Sequence, residues 1–128
     1  MANARPIVSA RQVYARLTKV RRARQEHLLV FCLDTRGCVI SRQVVSIGIL
    51  NSTMVHPREV FYPAIVHNAA GIIMAHNHPS ADSTPSDEDV AVSVRLGEAG
   101  ALLGIALIDH IIVAERGYTS LGEAGLLT

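Results

Sequence analysis

Four runs of β-forming, mostly apolar residues alternate with helix-type segments, and this alternation restricts the fold more than any other feature. The runs are "EHLLVFCLD", "CVISRQVVSIGIL", "GIIMAH" and "IALIDHIIVAERG". The turn "DTRG" joins the first two, so residues 27 to 50 read as a hairpin whose first strand is apolar enough to be central. Helices separate the later runs. A hairpin combined with helix-separated strands predicts an α/β fold, a mixed β-sheet flanked by helices. Ser9 is placed to N-cap the first helix, which carries Val13, Leu17 and Val20 at helical intervals and ends near Gln25. His56 and Pro57 start the second helix, Gly71 ends it, and Pro63 falls in its first two turns. The third runs through "SDEDVAVSVRLGEAGALLG" to a glycine-punctuated end.

A chain of 128 residues, 49% hydrophobic, fits one domain, residues 1–128, with a core large enough to fold without staples. Its apolar runs fall short of the roughly 20 residues of a membrane span, and the N-terminus lacks a signal-peptide core, so a soluble, cytoplasmic protein with no membrane partner is expected. Cys32 and Cys38 flank the "DTRG" turn without CxxC spacing or disulfide-rich density, and read as reduced, buried thiols. A mean hydropathy of +0.29 makes a homo-oligomer plausible. Charge is lopsided. Residues 1 to 25 hold seven Lys/Arg and no acid, while the other five bases and eleven acids leave −6. Arg16, Lys19, Arg21, Arg22 and Arg24 in the basic region 1–24 form either a DNA contact or the solvated face of a helix. Three Tyr, two Phe and no Trp offer no stacking platform for single strands.

The chemistry concentrates in "AHNHPSADSTPSDED", residues 75 to 89. His76 and His78 stand two apart where a strand runs into a loop, so strand alternation sends both imidazoles to one side, within reach of one ion. Zinc takes nitrogen ligands with a carboxylate oxygen, and a catalytic site keeps a position for water, so a third protein ligand is required. Thr84, Pro85, Ser86 and Asp87 read as N-cap, N1, N2 and N3 of the following helix, with Asp87 closing a capping box. That leaves Asp89 unclaimed by local structure and on the same helix face as Ser86, which makes it the third ligand. In the competing reading, Ser86 and Asp89 are themselves the capping box.

The spacing H-x-H-x7-S-x2-D, with "HNHPS", "TPS" and the downstream Asp, resembles the JAMM motif of MPN-domain metalloproteases, in its RadC-like branch. The likeness extends through "NSTMVHPREVF", "NAAGIIMAHNHPS" and "LLGIALIDHIIV" and covers a core of residues 25–121. It implies a cytidine-deaminase-like fold and a Zn2+ held by His76, His78 and Asp89, with Ser86 stabilising the oxyanion. It also implies an upstream glutamate as general acid/base, by position Glu26, with Glu59 as a competing carboxylate. Zinc acidifies water and polarises a carbonyl, and a carboxylate that is not a ligand can carry the proton to a leaving amine. The reaction expected is hydrolysis of a peptide or isopeptide-like amide, on a peptide or protein substrate.

Two other functions compete. The resemblance carries a DNA-repair label, which suggests an accessory protein binding DNA through the basic N-terminal helix; the alternative is a non-catalytic MPN scaffold, disfavoured because every matched metal position is filled. RadC-type proteins commonly carry a helix-hairpin-helix DNA-binding module, and this sequence has none of its features. Ala81 and Ser83 stand where the RadC pattern usually reads Gly and Pro, without touching a proposed ligand. His27, His56 and His67 have ordinary places at element ends. His110, in "LIDHIIV", is either a hydrogen-bonded core residue or a neighbour of the site, with Asp109 available to orient a ligand.

Overall fold

The structure, a computed structural model, describes residues 9–48 and 55–127. Residues 1–8 of the basic region and residues 49 and 50 of the expected second strand lie outside it. Five strands form one sheet in the order β2-β1-β3-β4-β5: β1 His27–Leu33, β2 Val39–Ile47, β3 Gly71–Asn77, β4 Ala106–Ala114 and β5 Gly117–Ser120. Among the described residues only the β3–β4 pair is parallel; β1 pairs antiparallel with both β2 and β3, and β4 with β5. The mixed, helix-flanked sheet is the one expected. β1 is buried along six of its seven residues and lies between two partners.

Strand alternation divides the core. Leu28, Val30, Cys32, Ile72 and Met74 face helices α2 (Pro57–Val66) and α3 (Asp87–Leu103), meeting Val60, Phe61, Ala64, Val92 and Leu96. Leu29, Phe31, Leu33, Ile73, Ala75, Ile111 and Val113 face the other side, against α1 (Ala10–Ala15) and the chain that follows it. Full burial of one such Leu or Phe contributes about 1.5–3 kcal/mol. The buried stripe of α3 runs through Asp89, Val92, Ser93, Leu96 and Gly100, so the face that holds α3 to the sheet also carries two polar groups.

Two helix ends are corrected. The first helix stops at Ala15 rather than near Gln25, and a short 3-10 turn, Val20–Arg22, follows. Val13, Leu17 and Val20 are still buried together, but Arg42 Nη1 donates to Arg16 O at 3.1 Å, so that carbonyl bonds across to β2 instead of continuing the helix. Ser9 stands at the N-cap without a side-chain bond. The second helix ends at Val66 with His67 as its C-cap, not at Gly71, because Asn68 takes the left-handed conformation at φ 51° and Ala69 N–H closes on Ala64 O at 2.8 Å. Gly71 instead opens β3, where an added Cβ would lie 2.7 Å from Ile108 Cδ1. β5 was not anticipated as a separate strand. Both cysteines are buried thiols outside any disulfide, and Cys32 stands opposite Ser41 of β2.

Candidate metal centre

β3 delivers the histidines. His76 is its penultimate residue, held between Leu28 of β1 and Ile112 of β4, and His78 follows with its N–H bonded to Val113 O at 2.9 Å. Their rings meet edge to face with centroids 5.0 Å apart. Asn77 between them is fully buried and grips the approach to β1: its Oδ1 accepts from His27 N–H at 2.6 Å, and its Nδ2 donates to Gln25 O at 3.1 Å and Ala23 O at 3.3 Å. That grip fixes Glu26, whose Oε1 lies 2.7 Å from His76 Nε2. Sequence reasoning missed Asn77; the available signal was a polar residue at a position that alternation turns away from the histidines.

Asp89 comes from the first turn of α3, and here the local reading is overturned. Ser86, not Thr84, is the N-cap: Asp89 N–H donates to Ser86 Oγ at 3.1 Å, and Ser86 N–H donates to Asp89 Oδ2 at 2.8 Å, the two halves of a capping box. Thr84 is instead bound to Asp82 Oδ1 through its own N–H and hydroxyl. So Asp89 is not spare, yet its carboxylate lies against both imidazoles, with Oδ1 3.4 Å from His76 Nδ1 and Oδ2 3.1 Å from His78 Nε2. Among the described residues Glu26, His76 and His78 form a potential ligand group whose ligand atoms lie within 4.8 Å of one another, a group that does not include Asp89. Glu59 is exposed on α2, beside Arg58 and Tyr62 in a separate groove of about 450 Å³. Asp109 is occupied elsewhere, accepting from Ser120 Oγ and from Gly122 N–H.

Electrostatics bear on what the cluster can hold. Burial pushes the His76 imidazolium below its ordinary range despite Glu26. His78 is raised by its bond to Asp89. Burial opposes the charged form of Asp89, but hydrogen bonds from His78 and Ser86, with the nearby His76, hold its carboxyl down at about 2. Four acceptor oxygens face these two rings: Glu26 Oε1 and Asp89 Oδ1 at His76, Asp89 Oδ2 and Asp82 O at His78. Two neutral imidazoles carry only two N–H groups between them, and His76 Nδ1 is buried with no hydrogen-bond partner among the described residues. The cluster is short of positive charge, and a divalent cation among two ring nitrogens and carboxylate oxygens meets that shortage. The donor set suits zinc. His76 and Asp89 are 1% and 2% exposed while Glu26 and His78 are 20% and 16% exposed, so the centre opens to solvent on the Glu26 and His78 side.

Comparison with known proteins accords with this geometry. A family model described as the RadC-like JAB domain matches residues 7–126. Among curated proteins, the chain is 46% identical over 125 residues to a UPF0758 protein of Methanococcoides burtonii, covering 97% of this chain and 55% of that protein. It is 50% identical over 111 residues to a UPF0758 protein of Clostridium kluyveri, covering 87% and 49%. A third, from Clostridium novyi, is 52% identical over 104 residues, covering 81% and 46%. The chain thus spans about half the length of the curated relatives it matches.

Proposed function

This chain belongs to the RadC-like JAB domain family, and from that premise we propose that it is a Zn2+-dependent hydrolase of amide bonds, acting on a peptide or isopeptide-like linkage. One observation carries the reading: two imidazoles and two carboxylates, from the start of β1, the end of β3 and the first turn of α3, converge, each within 3.4 Å of at least one other. In this reading His76, His78 and Asp89 hold the ion, which when bound supplies Lewis acidity towards a water and a substrate carbonyl. Glu26, partly exposed and fixed by Asn77, takes the proton from the attacking water and delivers it to the leaving amine. Ser86 Oγ spends a lone pair on Asp89 N–H, which leaves its hydroxyl proton to donate to the developing oxyanion.

The test is metal content by mass spectrometry on protein purified without added metal, comparing the intact chain with the His76→Ala/His78→Ala double variant. One zinc per chain, lost in the variant, is the expected result. Metal in neither, even after zinc is supplied, refutes the reading. Glu26→Gln then separates the roles: zinc retained and amide hydrolysis lost is expected of a proton carrier, and zinc lost makes Glu26 a ligand.

A second reading, association with DNA, is favoured by the exposure of Arg16, Lys19, Arg22 and Arg24 around the 3-10 turn.

A further inference from the structure

Behind the histidines, on the side away from Glu26, lies a second imidazole that the proposed reaction does not use. His110 is fully buried on β4, opposite Met74 of β3, and shares the α3-facing side of the sheet with His76. Its Nδ1 meets Ser93 Oγ at 2.5 Å, and its Nε2 is buried with no hydrogen-bond partner among the described residues. Ser93 stands one turn beyond Asp89 on the same stripe of α3. His76 presents the matching deficiency: its Nε2 faces Glu26, and its Nδ1 has no hydrogen bond. Asp89 Oδ1 lies 3.4 Å from that nitrogen without hydrogen-bonding it, and the bonds from His78 and Ser86 go to the other oxygen, Oδ2. The rings of His76 and His110 have centroids 6.2 Å apart, beyond a direct bond and within the span of one bridging water.

Two unpartnered ring nitrogens, both buried, on one face of two adjacent strands, are costly unless they satisfy each other. We infer that His110 is a positioning residue for the metal centre, joined to His76 Nδ1 through a water and anchored by Ser93, so that His76 Nε2 is committed to the ion. This rests on the metal reading above. Every link of the chain can reverse. With Glu26 accepting from His76 Nε2–H, the His76 Nδ1 lone pair takes a proton from the water, the water from His110 Nε2–H, and Ser93 donates to His110 Nδ1. With Nε2 on an ion, His76 Nδ1–H donates instead, His110 Nε2 accepts, and Ser93 Oγ accepts from His110 Nδ1–H. Serine hydroxyl, water and neutral imidazole each both donate and accept, which an amide or carboxylate in their places does not do. Burial pushes His110 down to about 3, so it is the neutral ring the chain needs. Outer partners of this kind typically tune metal affinity by 10- to 100-fold.

Imidazole nitrogen NMR shifts of His76, measured with chelator present, test the link without metal or substrate. The full chain is compared with Ser93→Ala, His110→Gln, which retains a polar group near the Nε2 position, and His110→Leu. A single His76 tautomer, Nε2–H, is expected in the parent chain and mixed tautomers in His110→Leu, with His110→Gln partly restored and Ser93→Ala between. Zinc affinity by chelator competition is expected to fall about 10- to 100-fold in His110→Leu, at unchanged stoichiometry, with partial recovery in His110→Gln. Circular dichroism identifies a variant that fails to fold, and Ser93→Ala then decides the case. An unchanged His76 tautomer in every folded variant overturns the inference. A tautomer that shifts in a parent chain that binds no zinc upholds the link and refutes the metal reading instead.

Discussion

Replacing Asp89 by alanine is expected to cost the metal-free protein about 2 kcal/mol at pH 7, a figure reached both from its hydrogen bonds and from the carboxyl shift those bonds produce. The substitution leaves Ser86 N–H and His78 without their carboxylate acceptor, and a hydrogen bond to a charged group is worth about 1.5–3 kcal/mol. Correspondingly, the Asp89 carboxyl is held at about 2 against an ordinary 3.8, and at about 1.4 kcal/mol per unit the folded state gains somewhat over 2 kcal/mol from its ionisation. The sign follows from the depressed value: the contribution is complete above about pH 4 and disappears as pH falls through about 2. Urea unfolding with chelator present, at intervals from pH 7 to pH 2, measures it. The gap between the parent chain and Asp89→Ala should narrow to near zero at the acid end. Asp89→Asn, which keeps an oxygen for Ser86 N–H but no charge, should recover roughly half the loss at pH 7. A deficit that stays constant across the whole range would refute the reasoning, because it would mean that lost volume rather than lost charge sets the cost.

Gly100→Ala, which stabilises an ordinary exposed helix, should here destabilise by roughly 1–3 kcal/mol, because the new Cβ meets Ile105 O at 2.3 Å and Phe61 Cζ at 3.1 Å; thermal melting checks it, and a raised midpoint contradicts the packing described. Asn77→Ala strands the backbone groups of Ala23, Gln25 and His27 and should cost about 2–3 kcal/mol. If the chain hydrolyses amides as proposed, it should also lower that activity more than it lowers zinc affinity, since it frees Glu26 and not the histidines. Ser86→Ala should lose about 1 kcal/mol of cap stability in urea unfolding. If the exposed bases of the N-terminal region contact phosphates, DNA binding should weaken steeply between 50 and 200 mM salt in a titration. No binding at low salt removes that reading.

The alternation of apolar runs contains the sheet and its mixed character because burial on one or both faces is written directly into residue order. Helix ends were less legible. The first helix stops where a carbonyl finds a partner on β2, and the second stops before Asn68 rather than at a glycine; both depend on contacts distant in sequence. The histidine pair is local and was readable. Asp89 was picked out by an argument that fails, since it caps α3, yet it stands beside both histidines because one carboxylate serves both purposes. Asn77 and His110 were hidden or ambiguous for a common reason: their partners, fifty and seventeen residues away, are set by strand register rather than by spacing.

β3 carries His76 and Asn77 as adjacent residues on opposite faces, and that adjacency bears on the order of events during folding. A slip of β3 by one residue against β1 would turn the imidazole into the α1 side and the amide into the α3 side, so ligand and clamp would be lost in the same step. The centre therefore has no half-built form. It comes into being only once strands fifty residues apart have closed in the right register, among the slower kinds of contact a chain makes. Until then Glu26 lies fifty residues up an open chain from the histidine pair and shares no grip on a cation with it. Capture of an ion in this protein would mark the completion of the sheet, a late checkpoint in its folding.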